Sequence, residues 1–419
     1  MQKLIVSLLM ACTSISLAGT PPSRHYPPGA NDVYISDSTA LHIKALQQIA
    51  PLVQSSIANG FYPGAVILAG HQGHIIYRGV FGNRRVNPST AHMRFDTIFD
   101  LASLTKVIVA TTAIMQLVDQ DKIQLDKPVA YYWPVFAANG KSAITVRQLL
   151  THTSGLQEDI PSPELNEILP LKERAPNAPR WHGKEVALQK IAALQPLYPP
   201  GSKFSYSDVN FITLGYLVER LSGERLNHYA MQHIFKPLGM NDSYFLPQSS
   251  LHDRIAPTEI LGGQLRWGTV HDPTTYLMGG VSGMAGLFSD AHDLGIFAQM
   301  VLDHGRIADQ HKPPRYILTP ASVKAMTTPQ TPKSISETRG LGWDINSHYT
   351  ARGHLFASSS FGHTGWTGTS LWIDPASQTW LIILTNRLHP KPAENKLIED
   401  RGLIADWVAR AVGYTRHDR

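Results

Sequence analysis

The chain has 419 residues, of which 43% are hydrophobic and 16% charged, which excludes a disordered chain and allows two domains or one large domain with an insertion. Its 37 Lys and Arg against 32 Asp and Glu give a formal charge of +5, scattered rather than clustered, which argues against nucleic acid as a partner. The single cysteine, Cys12, lies near the N-terminus, so a chain cut behind it has no disulfide, no cysteine-based metal site and no cysteine nucleophile.

The first residues, "MQKLIVSLLMACTSISLAGTPP", place Lys3 ahead of an apolar segment and then small and Pro-rich residues, the pattern of a secretory leader covering residues 1–18. Cleavage after Ala18, lipid attachment at Cys12 and retention as an uncleaved anchor are all compatible with it. Each places the protein outside the cytoplasmic membrane, either periplasmic or attached to the envelope membrane. No later segment has the roughly 18 uncharged apolar residues needed to cross a bilayer.

From Ser38 to Asn59, Leu41, Ile43, Leu46, Ile49, Leu52, Val53 and Ile57 recur at helical spacing and predict an amphipathic helix. "PGAVILAGHQGHIIYRGVFG" then reads as two strands turning at "HQG". "LASLTKVIVATTAIMQLV" predicts a buried helix, and a long polar Pro-rich loop from Glu158 to Trp181 could line or cover a site. Val209 to Leu221 repeats as another amphipathic helix. Near the end, "SSSFGHTGWTGTSLWIDPASQTWLIILTNR" predicts strands with a hairpin at "DPASQ", and "EDRGLIADWVARAVG" a closing helix. Sheet-forming sequence thus sits at both ends. The economical architecture is α+β, an antiparallel sheet flanked by helices from residues 38–102 and 306–415, interrupted by a mostly helical domain at 103–305.

Three local patterns carry chemistry. Ser103-Leu104-Thr105-Lys106 is the only Ser-x-x-Lys, and on a helix it lays the amine beside the hydroxyl. Burial disfavours the charged form of lysine, which would leave an amine able to take the serine proton, with the Ser103 N–H at a helix start as an oxyanion donor. By itself the tetrapeptide is a weak motif, and a snorkelling lysine beside a capping serine is its commoner explanation. In "YSD", Tyr206 lies in the turn before the Val209 helix, where its phenol can relay a proton; Asp208 there also suits a helix N-cap. In "GHTGWTG", an extended His363 and Thr364 offer donors for a carboxylate or carbonyl, and Gly365 lets a substrate backbone approach. Arg387 closes the last strand and either pairs with a substrate carboxylate or is an ordinary surface residue. His152 in "THTSG" reads as support for a helix end. His271-Asp272 and His292-Asp293 lack any metal-binding spacing, so no metal or cofactor is expected. No Gly-x-Ser-x-Gly and no P-loop occurs.

The order and spacing of these patterns resemble the serine penicillin-binding proteins and serine β-lactamases. The Tyr-type second motif is similar to the class C branch, which also holds DD-peptidases, esterases and D-amino-acid peptidases. The resemblance runs from about residue 38 to 413 through "ITVRQLLTHTSG", "YPPGSKFSYSD", "IFKPLGM" and "GLGW". "WGTVHD", "GGVSGMAGLFSDAHDL" and "GHTGWTGT" look most like the penicillin-binding protein 4B group, assigned as D-alanyl-D-alanine carboxypeptidases.

The resemblance implies a β-lactamase/transpeptidase-like fold with Ser103 as acylated nucleophile, Lys106 as its proton acceptor and Tyr206 as the shuttle to the leaving group. It implies oxyanion donors at the backbone N–H groups of Ser103 and Trp366, and substrate contacts at Asp208, His363, Thr364, Gly365 and Arg387. Two departures stand out: Asp208 occupies the usual place of Asn, and His363 that of a frequent Lys, exchanging a fixed charge for one that titrates near neutrality. The implied activity is hydrolysis of D-alanyl-D-alanine ends of peptidoglycan peptides, with β-lactams as inhibitors. An esterase, a weak class C-like β-lactamase, and a non-catalytic penicillin- or muropeptide-binding protein are the alternatives.

Overall fold

The computed structural model describes residues 32–160, 182–261, 263–307 and 315–414. The leader at residues 1–18 and most of the Pro-rich loop lie outside them. The main sheet is antiparallel and nine-stranded, with Ala91–His92 appended to one member. Its strands are β1 (Asp32–Ile35), β2 (Gly64–His71), β3 (His74–Arg85), β4 (Thr338–Arg339), β5 (Asp344–Asn346), β6 (Phe361–Thr364), β7 (Thr369–Asp374) and β8 (Thr379–Thr385). They lie in the order β1-β3-β2-β8-β7-β6-β5-β4. The central pair β2 and β8 joins the two ends of the chain, from Ala65 opposite Thr385 to His71 opposite Thr379. Gln72 and Gly73, both at positive φ (50° and 79°), make the two-residue turn that the strand twist of β2 and β3 favours.

Six helices matter to the site and its support: α1 (Ile49–Ala58), α2 (Thr112–Asp119), α3 (Val146–Leu150), α4 (Asp208–Ser222), α5 (Ala291–Leu302) and α6 (Leu397–Ala411). Because successive strand residues point to opposite faces, β2 is apolar on both. Ala65, Ile67 and Ala69 share a cluster with Ile49 and Val53 of α1 and Ile404 and Val408 of α6. Val66 and Leu68 join Leu294 and Phe297 of α5 on the other face. Each such side chain, fully buried, contributes about 1.5–3 kcal/mol. Gly295 lets α5 approach closely, since a Cβ there would lie 3.1 Å from the Trp380 ring and 3.3 Å from Leu68. Helix α5, although it lies within residues 103–305, packs directly on the sheet.

Between the sheet halves, the chain runs through the helical region that α2 and α4 centre. The segment leading into α2, Lys106–Thr111, is wound in wide π-type turns and is buried throughout, as is α2 from Thr112 to Leu117. A helix apolar all round belongs inside a core, and a π-type stretch frequently marks a functional position. Among the described residues, no helix is long and apolar enough to cross a membrane.

Candidate active site

The loop that carries Ser103 is set by Asp100. Phe99 and Asp100 pair with Ser289 and Phe288 in a small separate sheet. The buried Asp100 carboxylate accepts the N–H groups of Ala102 (2.9 Å) and His271 (2.7 Å). Ala102 is thereby held at φ 47°, a left-handed conformation that costs a non-glycine residue about 1–3 kcal/mol. Tight turns follow, with Thr105 N–H on Ala102 O and Lys106 N–H on Ser103 O, both 3.0 Å. The strained corner thus delivers Ser103, half-buried, one turn ahead of Lys106.

Lys106 is 1% exposed. Its Nζ donates to Ser103 Oγ (3.0 Å) and to the Met284 carbonyl (3.0 Å), and lies 2.6 Å from Asp208 Oδ1. The Tyr206 hydroxyl also hydrogen-bonds it. Burial draws the ammonium toward neutrality, but the Asp208 carboxylate and the Tyr206 hydroxyl outweigh it and hold the lysine above its ordinary range. The expected free amine is therefore corrected: an anion at 2.6 Å keeps the buried lysine charged.

Tyr206 and Asp208 reach this point because Ser207, extended at φ −145°, caps α4 by accepting the Asn210 N–H. Ser207, not Asp208, is the N-cap. Tyr206 is sandwiched: the His152 ring stacks on it at 4.3 Å and 22°, and the Tyr349 ring lies 5.4 Å away. His152 Nδ1 accepts the Ser207 N–H at 3.0 Å, tying the turn after α3 to the start of α4.

On the far side, β6 brings His363 within 6.2 Å of Tyr206, ring to ring. His363 is 5% exposed, and its Nδ1 faces the Thr364 carbonyl at 2.8 Å. Burial, then Arg339, then Lys106 push its pKa well below the ordinary histidine value. The expected titrating cation is thus corrected to a ring held toward its neutral form, which donates from Nδ1 to the Thr364 carbonyl and leaves Nε2 buried without a partner among the described residues. Gly365 also has a different reason from the one expected. A Cβ there would lie 2.5 Å from the Leu101 carbonyl, so the glycine is required by the loop that carries Ser103. Thr367 and Thr369 bind the same loop through their hydroxyls, to Asp100 O (2.6 Å) and Leu101 O (3.0 Å). These contacts tie the segment around Trp366 to the loop that carries Ser103. Neither the Ser103 nor the Trp366 N–H has an acceptor among the described residues, as oxyanion donors require.

The beta-lactamase family profile matches residues 49–405. The chain belongs to the beta-lactamase family. An Escherichia coli (strain K12) protein described as "Putative D-alanyl-D-alanine carboxypeptidase" is 30% identical over 422 residues, covering 93% of this chain and 92% of that protein. Among solved structures, "EstCE1, a hydrolase with promiscuous acyltransferase activity" superposes with a TM-score of 0.70 at 22% identity, covering 88% of this chain and 99% of that one. A penicillin-binding protein homologue from Caulobacter crescentus gives 0.67 at 22% identity, covering 90% and 100%. The expected β-lactamase/transpeptidase-like fold is the one observed.

Within this beta-lactamase-family site, Ser103, Lys106, Tyr206 and Asp208 converge and His363 faces Tyr206 from β6, while Thr364 ends that strand and Gly365 packs against Leu101 and Thr369. Arg387 stands apart: it is 8% exposed, donates from Nε to the Trp366 carbonyl (2.9 Å) and lies 4.9 Å from the indole centre. It carries Trp366, which is itself 66% exposed at the mouth. Two residues escaped the motifs. His152 appears only as a turn residue in sequence, and Arg339, 1% exposed, acts electrostatically on Tyr206, His152 and His363 from behind. Away from the site, Asp290, His292 and Asp293 come close enough to ligate a metal. Their oxygens are engaged, Asp290 capping α5 and Asp293 accepting from Asp242 N–H and Ser243 Oγ.

Proposed function

We propose that this beta-lactamase-family hydrolase is a D-alanyl-D-alanine carboxypeptidase that acts on cell-wall peptides outside the cytoplasmic membrane through a Ser103 acyl-enzyme. What carries the reading is the meeting of Ser103 Oγ, Lys106 Nζ and Tyr206, with the Ser103 and Trp366 N–H groups lacking an acceptor among the described residues. Once Lys106 has given its extra proton to solvent, Ser103 attacks the carbonyl carbon of the penultimate residue and its proton passes to the Lys106 amine beside Tyr206. The oxyanion takes the Ser103 and Trp366 N–H groups, and Tyr206 returns the proton to the departing D-alanine nitrogen. The reverse sequence with water frees Ser103. The carboxypeptidase assignment of 30% identical relatives supports the same substrate class.

One observation favours a second reading, an esterase on the same residues. His363 is buried and held toward its neutral form, so it supplies no fixed positive charge for a substrate carboxylate. Mass spectrometry after incubation with a D-Ala-D-Ala pentapeptide, an aryl ester and a cephalosporin separates the two. The carboxypeptidase reading expects loss of the terminal D-alanine and a cephalosporin adduct on Ser103. Turnover of the ester alone supports the esterase, and no turnover at all supports a binding protein.

A further inference from the structure

The environment of Lys106 Nζ assigns hydrogens. The Met284 carbonyl and the Asp208 carboxylate can only accept, so two N–H bonds point at them. A neutral amine has only those two, and its lone pair is left to the Ser103 and Tyr206 hydroxyls, of which Ser103 Oγ lies at 3.0 Å. An ammonium has a third hydrogen on that side, and Ser103 becomes an acceptor. The same cradle thus makes an effective base or an inert cation, and one proton separates them.

We propose that Asp208 is a charge lock on Lys106: its carboxylate keeps the third proton in place, so this chain acylates Ser103 efficiently only in alkaline solution. Asp208 is a positioning residue, acting through Lys106. With Lys106 already deprotonated by solvent, the Ser103 O–H bond breaks and its proton moves to the Lys106 lone pair; Oγ bonds to the acyl carbon as the carbonyl pair moves onto its oxygen, and that pair returns as the bond to the leaving group breaks, the leaving group taking up a proton. The direction of the Lys106 shift agrees with the geometry. The other charged or titratable groups facing the lysine are Tyr206 from the start of α4, His152 and Asp159 from the loop after α3, and His363 from β6. The two imidazoles are buried and held neutral, and Asp159, a second carboxylate, works in the same direction as Asp208.

The proposal rests on the serine-hydrolase reading, and a generic fluorophosphonate probe tests both without presuming a substrate. Labelling of the full chain at Ser103, located by peptide mass spectrometry, is timed from pH 6 to 10.5. The wild-type rate should climb through the alkaline range. In Asp208→Asn, which keeps size but not charge, the rising limb should move down by at least about one pH unit, raising the rate at pH 7 about tenfold. Asp208→Glu should stay alkaline, and Tyr206→Phe, which removes the smaller contribution to the lysine charge, should move the limb less than Asp208→Asn does while lowering its height. A wild-type profile flat across neutrality, or coincident profiles for wild type and Asp208→Asn, would overturn the lock. The wild-type arm decides even if Asp208→Asn does not fold. No labelling of Ser103 at any pH would overturn the serine reading itself and the lock with it.

Discussion

A buried lysine keeps its charge only beside an anion, and around Lys106 the anion has company. Asp159 and Asp272 stand near Asp208; burial and repulsion from Asp208 raise them to about 6 and about 7, with hydrogen bonds from Thr274 and Thr275 partly opposing the rise. For Asp272 the folded protein therefore binds a proton more tightly than the unfolded chain, whose aspartate titrates near 3.9. Its contribution to stability falls as pH rises through that interval toward about 7. Asp272→Asn preserves an N-cap acceptor for the Thr275 N–H but carries no charge. Its Tm relative to wild type should be higher at pH 8 than at pH 4.5, and a pH-independent difference would remove the titration argument. At the nucleophile, Ser103→Ala should abolish labelling by fluorescent penicillin, and Lys106→Ala should slow acylation by about 10²–10⁴-fold. Persistent labelling in Ser103→Ala would end the assignment. The Ser103, Lys106 and Tyr206 set was legible because it rests on local spacing, three residues along a helix and one turn before another. The partner of Asp208 and the tautomer of His363 were not, since each depends on what a distant segment brings.

At the scale of elements, the site is a junction of a strained corner, a helix start and a strand end. The corner is held from β7, through Thr369 on Leu101, and from the turn before it, through Thr367 on Asp100. Gly365 at the end of β6 is what lets these segments close. Gly365→Ala would press a methyl group to 2.2 Å from Thr369 Oγ1 and 2.5 Å from Leu101 O, so one of them must move. The expected outcome is a loss of about 1–3 kcal/mol in stability with a larger fall in acylation rate than in substrate affinity, measured by denaturant titration and stopped-flow kinetics. An unchanged acylation rate would show that Trp366 need not be held so closely. Strands and helices with clear periodicity, such as β2, β3 and α4, could be read from residues alone. His152 and Arg339 could not: a buried imidazole stacked on Tyr206 looks in sequence like any turn histidine, and Arg339 sits on a two-residue strand with no periodicity to reveal it.

At the scale of the whole molecule, the sheet that carries β6 is closed by pairing of the first third of the chain with the last. The α+β architecture could be anticipated because strand-like sequence stood at both ends, whereas the placement of α5 against Trp380 and Leu68 depends on Gly295 and carries no such signal. Helix α6 covers the face formed by Ala65, Ile67, Trp372, Leu381 and Ile383. Ending the chain at Asn386 should therefore yield insoluble or unfolded protein by sedimentation and circular dichroism, although every catalytic residue is retained. A soluble, β-lactam-reactive product would show that the helix is dispensable. The pairing also sets a timetable. His71 and Thr379 are hydrogen-bonded across 308 residues, and a ribosome adding about 5–20 residues per second spends roughly 15–60 s between them. For that interval the edge of "GAVILAG" has no partner, so the nascent hairpin depends on a chaperone or on delayed folding to escape aggregation before the last strand arrives.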